Sequence, residues 1–383
     1  MARALYIHWP FCARKCPYCD FNSHVRGNVD VEAFRRAFLA ELAHEHALAD
    51  TGPLRSIFFG GGTPSLMPPA LVAELLVQAE RMWGFDHQVE ITLEANPSSV
   101  EAANFAALAD AGINRVSLGL QSLDDVALRF LGRLHGAEEG LAALEIAQRH
   151  FARVSFDLIY ALPGQSAQAW GAQLSRAIGF GTAHLSLYQL TIEPNTRFAT
   201  DVRRGIFAPL DDDPAAELYT LTQELTRAAG IPAYEISNHA RPGEESRHNL
   251  AYWRYDDYLG VGPGAHGRRG GVATLRHKKP ENWLAACDER GEGLRDAAAL
   301  APRDQAAEAL LMGLRLAEGI DPVAIAKRFG LPAGSLLEPE RVAFHRAGGL
   351  LWERENRLGV TAAGMPLLDA LLGEIIAADL VGA

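Results

Sequence analysis

The sequence predicts an α/β protein that begins with an incomplete (β/α)6 TIM-type barrel over residues 1–195. A mixed α/β extension over 196–300 and a small winged-helix-like domain over 301–383 follow it. Three observations carry this expectation. Short β-rich runs alternate with amphipathic helical stretches through the first 195 residues, the mark of repeated βα units and a parallel sheet. The notable polar residues fall at the ends of those runs or just beyond them, where an α/β barrel collects its chemistry. Near residue 300 the pattern changes to short helices followed by two β-rich runs.

The strand candidates are Leu5–His8, Ser56–Phe59, Glu90–Glu94, Arg115–Gly119, Val154–Tyr160 and His184–Leu190. The first helix is expected over Val31–Ala49, where Phe34, Phe38 and Leu42 recur every fourth residue on one face. In the extension, Asp211-Asp-Asp-Pro214 opens a helix, and Gly260-Val-Gly-Pro-Gly264 forms a Gly-rich run leading into His266. Cys287, within the helical stretch Glu281–Arg290, reads as an ordinary small packed side chain. Helical patterns at 302–317, 321–329 and 338–347 precede Leu350–Arg354 and Arg357–Thr361, a two-stranded wing, and a last helix is expected over 364–378. A wing of this kind is often associated with DNA, but the segment has no concentrated Lys/Arg face.

Composition narrows the classes of function. With 383 residues, 48% hydrophobic and 22% charged, the chain is that of an ordinary soluble protein. A net charge of −11 argues against nucleic acid or an anionic membrane as a bulk electrostatic partner. No run approaches the apolar length of a membrane span, and Met1 leads directly into polar Arg3 and a strand, without a signal peptide. The expectation is a reducing cytoplasm, where clustered cysteines indicate metal rather than disulfides.

The densest chemistry is CARKCPYC, with Cys12, Cys16 and Cys19 in the spacing C-x3-C-x2-C. Three thiolates in one loop suit a [4Fe–4S] cube, whose usual ligation is by four cysteines. Three ligands leave one iron with an open position, where a metal site can do chemistry. Zinc is the alternative, but zinc ribbons pair two C-x2-C knuckles and no second pair is present. Gly60-Gly-Gly-Thr-Pro-Ser65 follows the second strand; its backbone can approach a ligand closely or simply make a tight βα turn. Glu94 ends the third strand, Gln121 ends the fourth, and Arg133 follows in the next helix. Each has an ordinary solvated reading when taken singly. Asp157 lies inside the apolar run Val154–Tyr160, where a buried carboxylate needs a partner or a ligand.

Taken together, C-x3-C-x2-C after a first strand, GGGTP after the second and a glutamate after the third resemble the radical S-adenosylmethionine (radical SAM) enzymes. That resemblance implies a partial barrel of the radical SAM kind and a cluster whose open iron is chelated by SAM. It also implies one-electron cleavage of SAM to a 5′-deoxyadenosyl radical. Within the superfamily the chain is similar to the oxygen-independent coproporphyrinogen III dehydrogenases (HemN) and to their relatives, the HemW heme chaperones. The likeness implies [4Fe–4S] ligation by Cys12, Cys16 and Cys19. It implies SAM contacts at Tyr6, Tyr18, Gly61, Gly62, Thr63, Glu94, Gln121, Arg133 and Asp157. Some of these positions serve a second SAM in the dehydrogenases, and whether two bind here stays open.

Two departures discriminate between the relatives. The dehydrogenases carry a further cysteine two residues after the third ligand, where this chain has Phe21. They also carry an N-terminal extension over the site, and Tyr6 here stands close to the start of the sequence. Cys-Pro-Tyr-Cys-Asp-Phe-Asn-Ser23 and His248-Asn-Leu-Ala-Tyr-Trp253 match the HemW group instead, the latter as H-N-x-x-Y-W. The implied function is a heme chaperone: heme is its cargo and heme-accepting proteins are its partners. Oxidative decarboxylation of coproporphyrinogen III is the alternative. His248, beside Tyr252 and Trp253, is the candidate heme ligand, and His266 the second.

Overall fold

The computed structural model describes residues 4–48 and 52–381. Ala49, the last position of the first expected helix, and Met1–Arg3 lie outside the described residues. The six strands read from the sequence are all present: β1 (Ala4–Trp9), β2 (Leu54–Gly61), β3 (Phe85–Ala95), β4 (Arg115–Gln121), β5 (Arg153–Tyr160) and β6 (His184–Gln189). The extension adds β7 (Asn238–Ala240), β8 (Tyr258–Val261), β9 (His266–Arg269), β10 (Val272–Arg276) and β11 (Leu294–Ala299). All eleven form one sheet in the order β11-β10-β9-β8-β1-β2-β3-β4-β5-β6-β7. From β8 to β6 every neighbouring pair is parallel, so seven strands make the open α/β barrel.

That seventh parallel strand differs from the sequence reading, which held the glycines of 260–264 in an irregular run. Gly260 is instead a strand residue pairing with Tyr6. A Cβ on it would stand 1.8 Å from the His266 carbonyl oxygen, so glycine here permits close passage of β9 rather than a turn. His266 accordingly opens β9 and is exposed, not part of the turn itself.

Local chemistry sets the helices that flank the sheet. In α1 (Val31–Leu48) Phe34, Phe38 and Leu42 are buried, and the Asp30 carboxylate caps the first turn by accepting from Ala33 N at 3.0 Å. In α2 (Pro69–Trp83) a proline opens the helix and Gly84, at φ 71°, ends it. Under the start of the cysteine loop, Trp9, Phe11, Phe34, Phe38 and Trp283 form a continuous ring-to-ring cluster with centroids 5.0–6.4 Å apart.

Residues 306–380 pack around a second core that includes Leu310, Ile320, Leu351, Leu358, Leu372 and Ile375. Its hairpin, β12 (Leu351–Arg354) and β13 (Arg357–Val360), turns through Glu355 and Asn356 at φ 48° and 67°, the left-handed pair that a two-residue hairpin favours. Among the described residues, no helix is long and apolar enough to cross a membrane.

One buried ionic clamp ties α1 to the antiparallel end of the sheet. Arg276 is fully buried and donates to Glu45 at 2.6 Å and to Glu41 at 3.4 Å. Glu41 also accepts from Gly262 N, Gly293 N and Trp283 Nε1 at 2.7, 2.8 and 3.1 Å. Arg276→Leu would leave these carboxylates short of their counter-charge inside the protein. A loss of about 3–5 kcal/mol is expected in urea unfolding of the apo-protein. A loss below about 1 kcal/mol would show that the remaining donors suffice.

Candidate functional site

At the C-terminal ends of the strands the chain from Pro10 to Val25 forms a loop closed at its base. Phe11 and Cys12 pair with His24 and Val25, and His24 N donates to Pro10 O at 2.7 Å. Gly62 N and Thr63 N bind Trp9 O and Phe11 O at 2.7 and 2.8 Å, which fastens the end of β2 to the foot of the loop. Between loop and strand ends lies a cavity of about 150 Å³ that opens to solvent.

Cys12, Cys16 and Cys19 line it together with Tyr18, Gly61, Gly62, Thr63, Glu94, Gln121, Arg133 and Asp157. Residues from one loop and from the ends of β2, β3, β4 and β5 thus meet in one place. Tyr6 stands behind the wall, its hydroxyl donating to His8 Nδ1 at 2.9 Å. Asn96 and Ser117 are among the lining residues that had escaped the sequence reading, and Phe21, also in the lining, had been read only as a departure. Asn96 carried a signal, since it belongs to the same Glu94-Ala-Asn-Pro97 run as the glutamate. Ser117 carried none, because a serine within a strand has no distinctive pattern.

A belt of hydrogen bonds runs between two of the thiols. Thr63 Oγ1 donates to Cys12 Sγ at 3.4 Å, and Asn96 Nδ2 donates to Thr63 Oγ1 at 3.1 Å. Arg133 Nη2 donates to Asn96 Oδ1 at 2.5 Å and to Gly119 O at 2.9 Å, while Nη1 reaches Cys16 Sγ at 3.4 Å. Arg133 Nε is buried with no partner, a donor left over for a ligand in the cavity. Burial pushes the Cys12 and Cys19 thiols up, so thiolate there calls for a positive centre, which iron supplies. Among the described residues no three His, Cys, Asp or Glu side chains converge on a single-ion site.

Burial pushes both carboxyls opposite above the usual carboxylate range. Glu94 is pushed up to about 8 by burial first and by the Asp157 charge second, against a hydrogen bond from Gly61 N at 3.2 Å. Burial pushes Asp157 up to about 6, although Ser117 Oγ donates to it at 3.1 Å. Gln121 ends β4 at φ 66°, a left-handed conformation costly for a side chain, and its amide lines the cavity.

His248 is not in this cavity. It lies on α3 (Arg247–Trp253), against the opposite, N-terminal end of β2, and is 3% exposed. Its ring stacks on Phe58 and Tyr6 at 4.8 and 6.2 Å and meets Tyr252 edge-on at 5.0 Å. Ser56 Oγ lies 3.3 Å from Nδ1, and Nε2 has no partner. The expected setting, a histidine with Tyr252 bordering an accessible macrocycle, is therefore not what the structure displays. The aromatic neighbours are packed on the imidazole itself and leave no open face.

A parallel α/β barrel that presents three cysteines in one loop at its strand ends defines a radical SAM protein. Comparison bears this out: the Radical SAM superfamily matches residues 6–172, and the HemN C-terminal domain matches residues 300–367. The heme chaperone HemW of Haemophilus influenzae is 36% identical over 380 residues, 96% of each chain. The heme chaperone HemW of Escherichia coli is 42% identical over 267 residues, 69% of this chain and 70% of its own. A bovine radical S-adenosyl methionine domain-containing protein 1, mitochondrial, is 42% identical over 83% of this chain and 74% of its own. Among solved structures, the coproporphyrinogen III oxidase HemN of Escherichia coli shares the fold, with a TM-score of 0.81 over 96% of this chain and 88% of that one, at 23% identity. The chain belongs to the HemW family of the radical SAM superfamily. Membership implies a [4Fe–4S] cluster and SAM, and the thiol triad and the spare Arg133 donor fit both.

The raised carboxyls give a pH dependence with a definite sign. Folded apo-protein keeps protons on Glu94 and Asp157 that the unfolded chain releases near pH 4. Their contribution to stability is full below about pH 4 and is lost as pH rises through about 6 to 8. Glu94→Gln should flatten that fall and stabilise the apo-protein at pH 8.5 by roughly 2 kcal/mol in urea unfolding. An unchanged pH profile would mean that Glu94 ionises normally.

Proposed function

We propose that this protein is a heme chaperone, which binds heme and delivers it to heme-dependent acceptor proteins in the cytoplasm, with a [4Fe–4S] cluster and SAM at the barrel mouth. The observation that carries the reading is the 36% identity to a HemW over 96% of both chains. The position two residues beyond the third cysteine supports it. Phe21 is 60% exposed at the rim of the cavity, so this chain offers an apolar ring where a decarboxylating relative has a thiol.

In this reading Cys12, Cys16 and Cys19 would hold the cluster, and the cluster with SAM would supply one-electron cleavage chemistry. Around it the chain's own residues bind and orient. The Gly61–Thr63 backbone approaches the ligand, Arg133 offers Nε to a carboxylate, and protonated Glu94 can donate as well as accept toward ribose hydroxyls. Tyr18, Gln121 and Asp157 complete the wall, and Tyr6 supports it from behind. For the heme iron, His266 is the accessible imidazole, while His248 is enclosed among Phe58, Tyr6 and Tyr252.

Anaerobic reconstitution followed by two assays tests the function. Retention of heme and its transfer to an apo-acceptor are expected, with no conversion of coproporphyrinogen III to protoporphyrinogen IX. Formation of protoporphyrinogen would establish the decarboxylase reading instead. Cys16→Ser should abolish the cluster absorbance, and a variant that keeps it would refute the ligand set. His248→Ala should lower stability by about 2–4 kcal/mol while leaving the heme spectrum unchanged. His266→Ala should alter that spectrum. The reverse pattern would return the ligand role to His248.

A further inference from the structure

We infer that Asn22 is a positioning residue for the cluster: its side chain latches the cysteine loop to the 263–278 segment and so fixes the loop over the glycine turn. The inference rests on the assignment of the cavity to a cluster and SAM, and is independent of how heme is handled.

Asn22 stands three residues after Cys19. Both of its amide hydrogens are used on backbone carbonyls from far along the chain, Nδ2 donating to Pro263 O at 2.8 Å and to Lys278 O at 2.9 Å. His24 Nε2 lies 3.3 Å from Oδ1. The main-chain oxygen of Asn22 is held as well, by His8 Nε2 at 2.9 Å. A carbonyl can only accept, so the His8 proton sits on Nε2, and Nδ1 accepts from the Tyr6 hydroxyl. One residue thus ties the end of the cluster loop to β1 and to the turn after β8.

Both glycine runs picked out in the sequence are shaped around this latch. A Cβ on Gly264, itself at φ 82°, would stand 2.3 Å from Asn22 Nδ2. A Cβ on Gly61 would stand 2.6 Å from the His8 ring. The glycine that meets the cofactor cavity on one side therefore seats His8 on the other. The latch is not needed to join β1 and β8, which already pair in four consecutive positions. What it adds is restraint on the segment that carries Cys19 and Phe21. Outer contacts of this kind orient metal ligands, and their loss typically weakens binding about 10–100-fold.

The test compares Asn22→Asp and Asn22→Ala with the wild-type full chain. Asp keeps the shape of Asn but has no donor, and sets a charge against two carbonyl oxygens. Ala leaves a gap without repulsion and carries the test if the Asp variant does not fold. Four quantities are read: iron per chain after anaerobic reconstitution, cluster midpoint potential, SAM affinity from the change in the electron paramagnetic resonance spectrum of the reduced cluster, and melting temperature of the apo-protein. At least a tenfold loss of SAM affinity and a displaced potential are expected in both, with Asp the worse. Wild-type affinity and potential in the variants would overturn the proposal, as would a fall in melting temperature alone. Absence of any SAM response in the wild-type protein would remove the cofactor assignment, and the latch with it.

Discussion

The contact on which the site depends is made by backbone alone, between the end of β2 and the foot of the cysteine loop. Gly62 N and Thr63 N donate to the carbonyls of Trp9 and Phe11, and a Cβ on Gly62 would stand 2.7 Å from Phe11 O. Any side chain at 62 would push the loop off the barrel. Because the loop lies flat on the turn, Thr63 reaches Cys12, Asn96 reaches Thr63, and Arg133 closes the belt at Cys16. Donors to cluster sulfurs are one of the means by which a protein sets cluster potential. Packing at one glycine and tuning of the cluster are therefore linked through four residues.

Beneath that belt the barrel interior is unusually polar. Thr92, Ser117, Ser155 and Ser186 face it along with Glu94, Asp157 and His184, and a buried Arg115 lies among them. A carboxylate in such a place must find a counter-charge or take up a proton. Glu94 leans to the second course, pushed up to about 8 by burial and then by the Asp157 charge, while burial raises Asp157 only to about 6. A cationic ligand brought into the cavity would reverse that balance. A sulfonium such as that of SAM is a cation of this kind and would favour the anionic form of any carboxyl beside it.

Much of this was legible in the sequence because the informative residues sit at strand ends. The six barrel strands, the cysteine loop and nearly all of its opposing residues follow from βα alternation plus motif position. What escaped has physical reasons. Gly260 is identical in sequence to a turn glycine, and only the passage of His266 O within reach of its missing Cβ shows why it is a strand residue. Ser117 differs from any other strand serine only by the carboxylate across the sheet. Asn22 reads as a loop asparagine until its partners, more than 240 positions away, are known. Long-range hydrogen bonds leave no local trace in composition or period.

The His248 motif shows the same limit from the other side, for the motif was legible but its place at the N-terminal end of the strands was not. Glu90 at the start of the β3 segment that pairs with Ser56 accepts from Arg247 N and His248 N, each at 3.2 Å, and receives Arg153 at 2.6 Å. A carboxylate at a helix N-terminus, backed by the Ser246 cap, fixes where α3 begins. With that start fixed, His248 falls between Phe58 and Tyr252, and Tyr252 in turn packs on Tyr258 of β8 at 4.2 Å. The motif thus closes the barrel floor and joins β2 to the seventh parallel strand. Tyr6 touches both ends of this architecture, with its ring against His248 below and its hydroxyl on His8 above. A histidine, a tyrosine and a tryptophan in one short run suggest a cofactor site by chemistry. The burial of His248 against Phe58 and Tyr6 instead makes it part of the support of β1, and through it of the cluster loop.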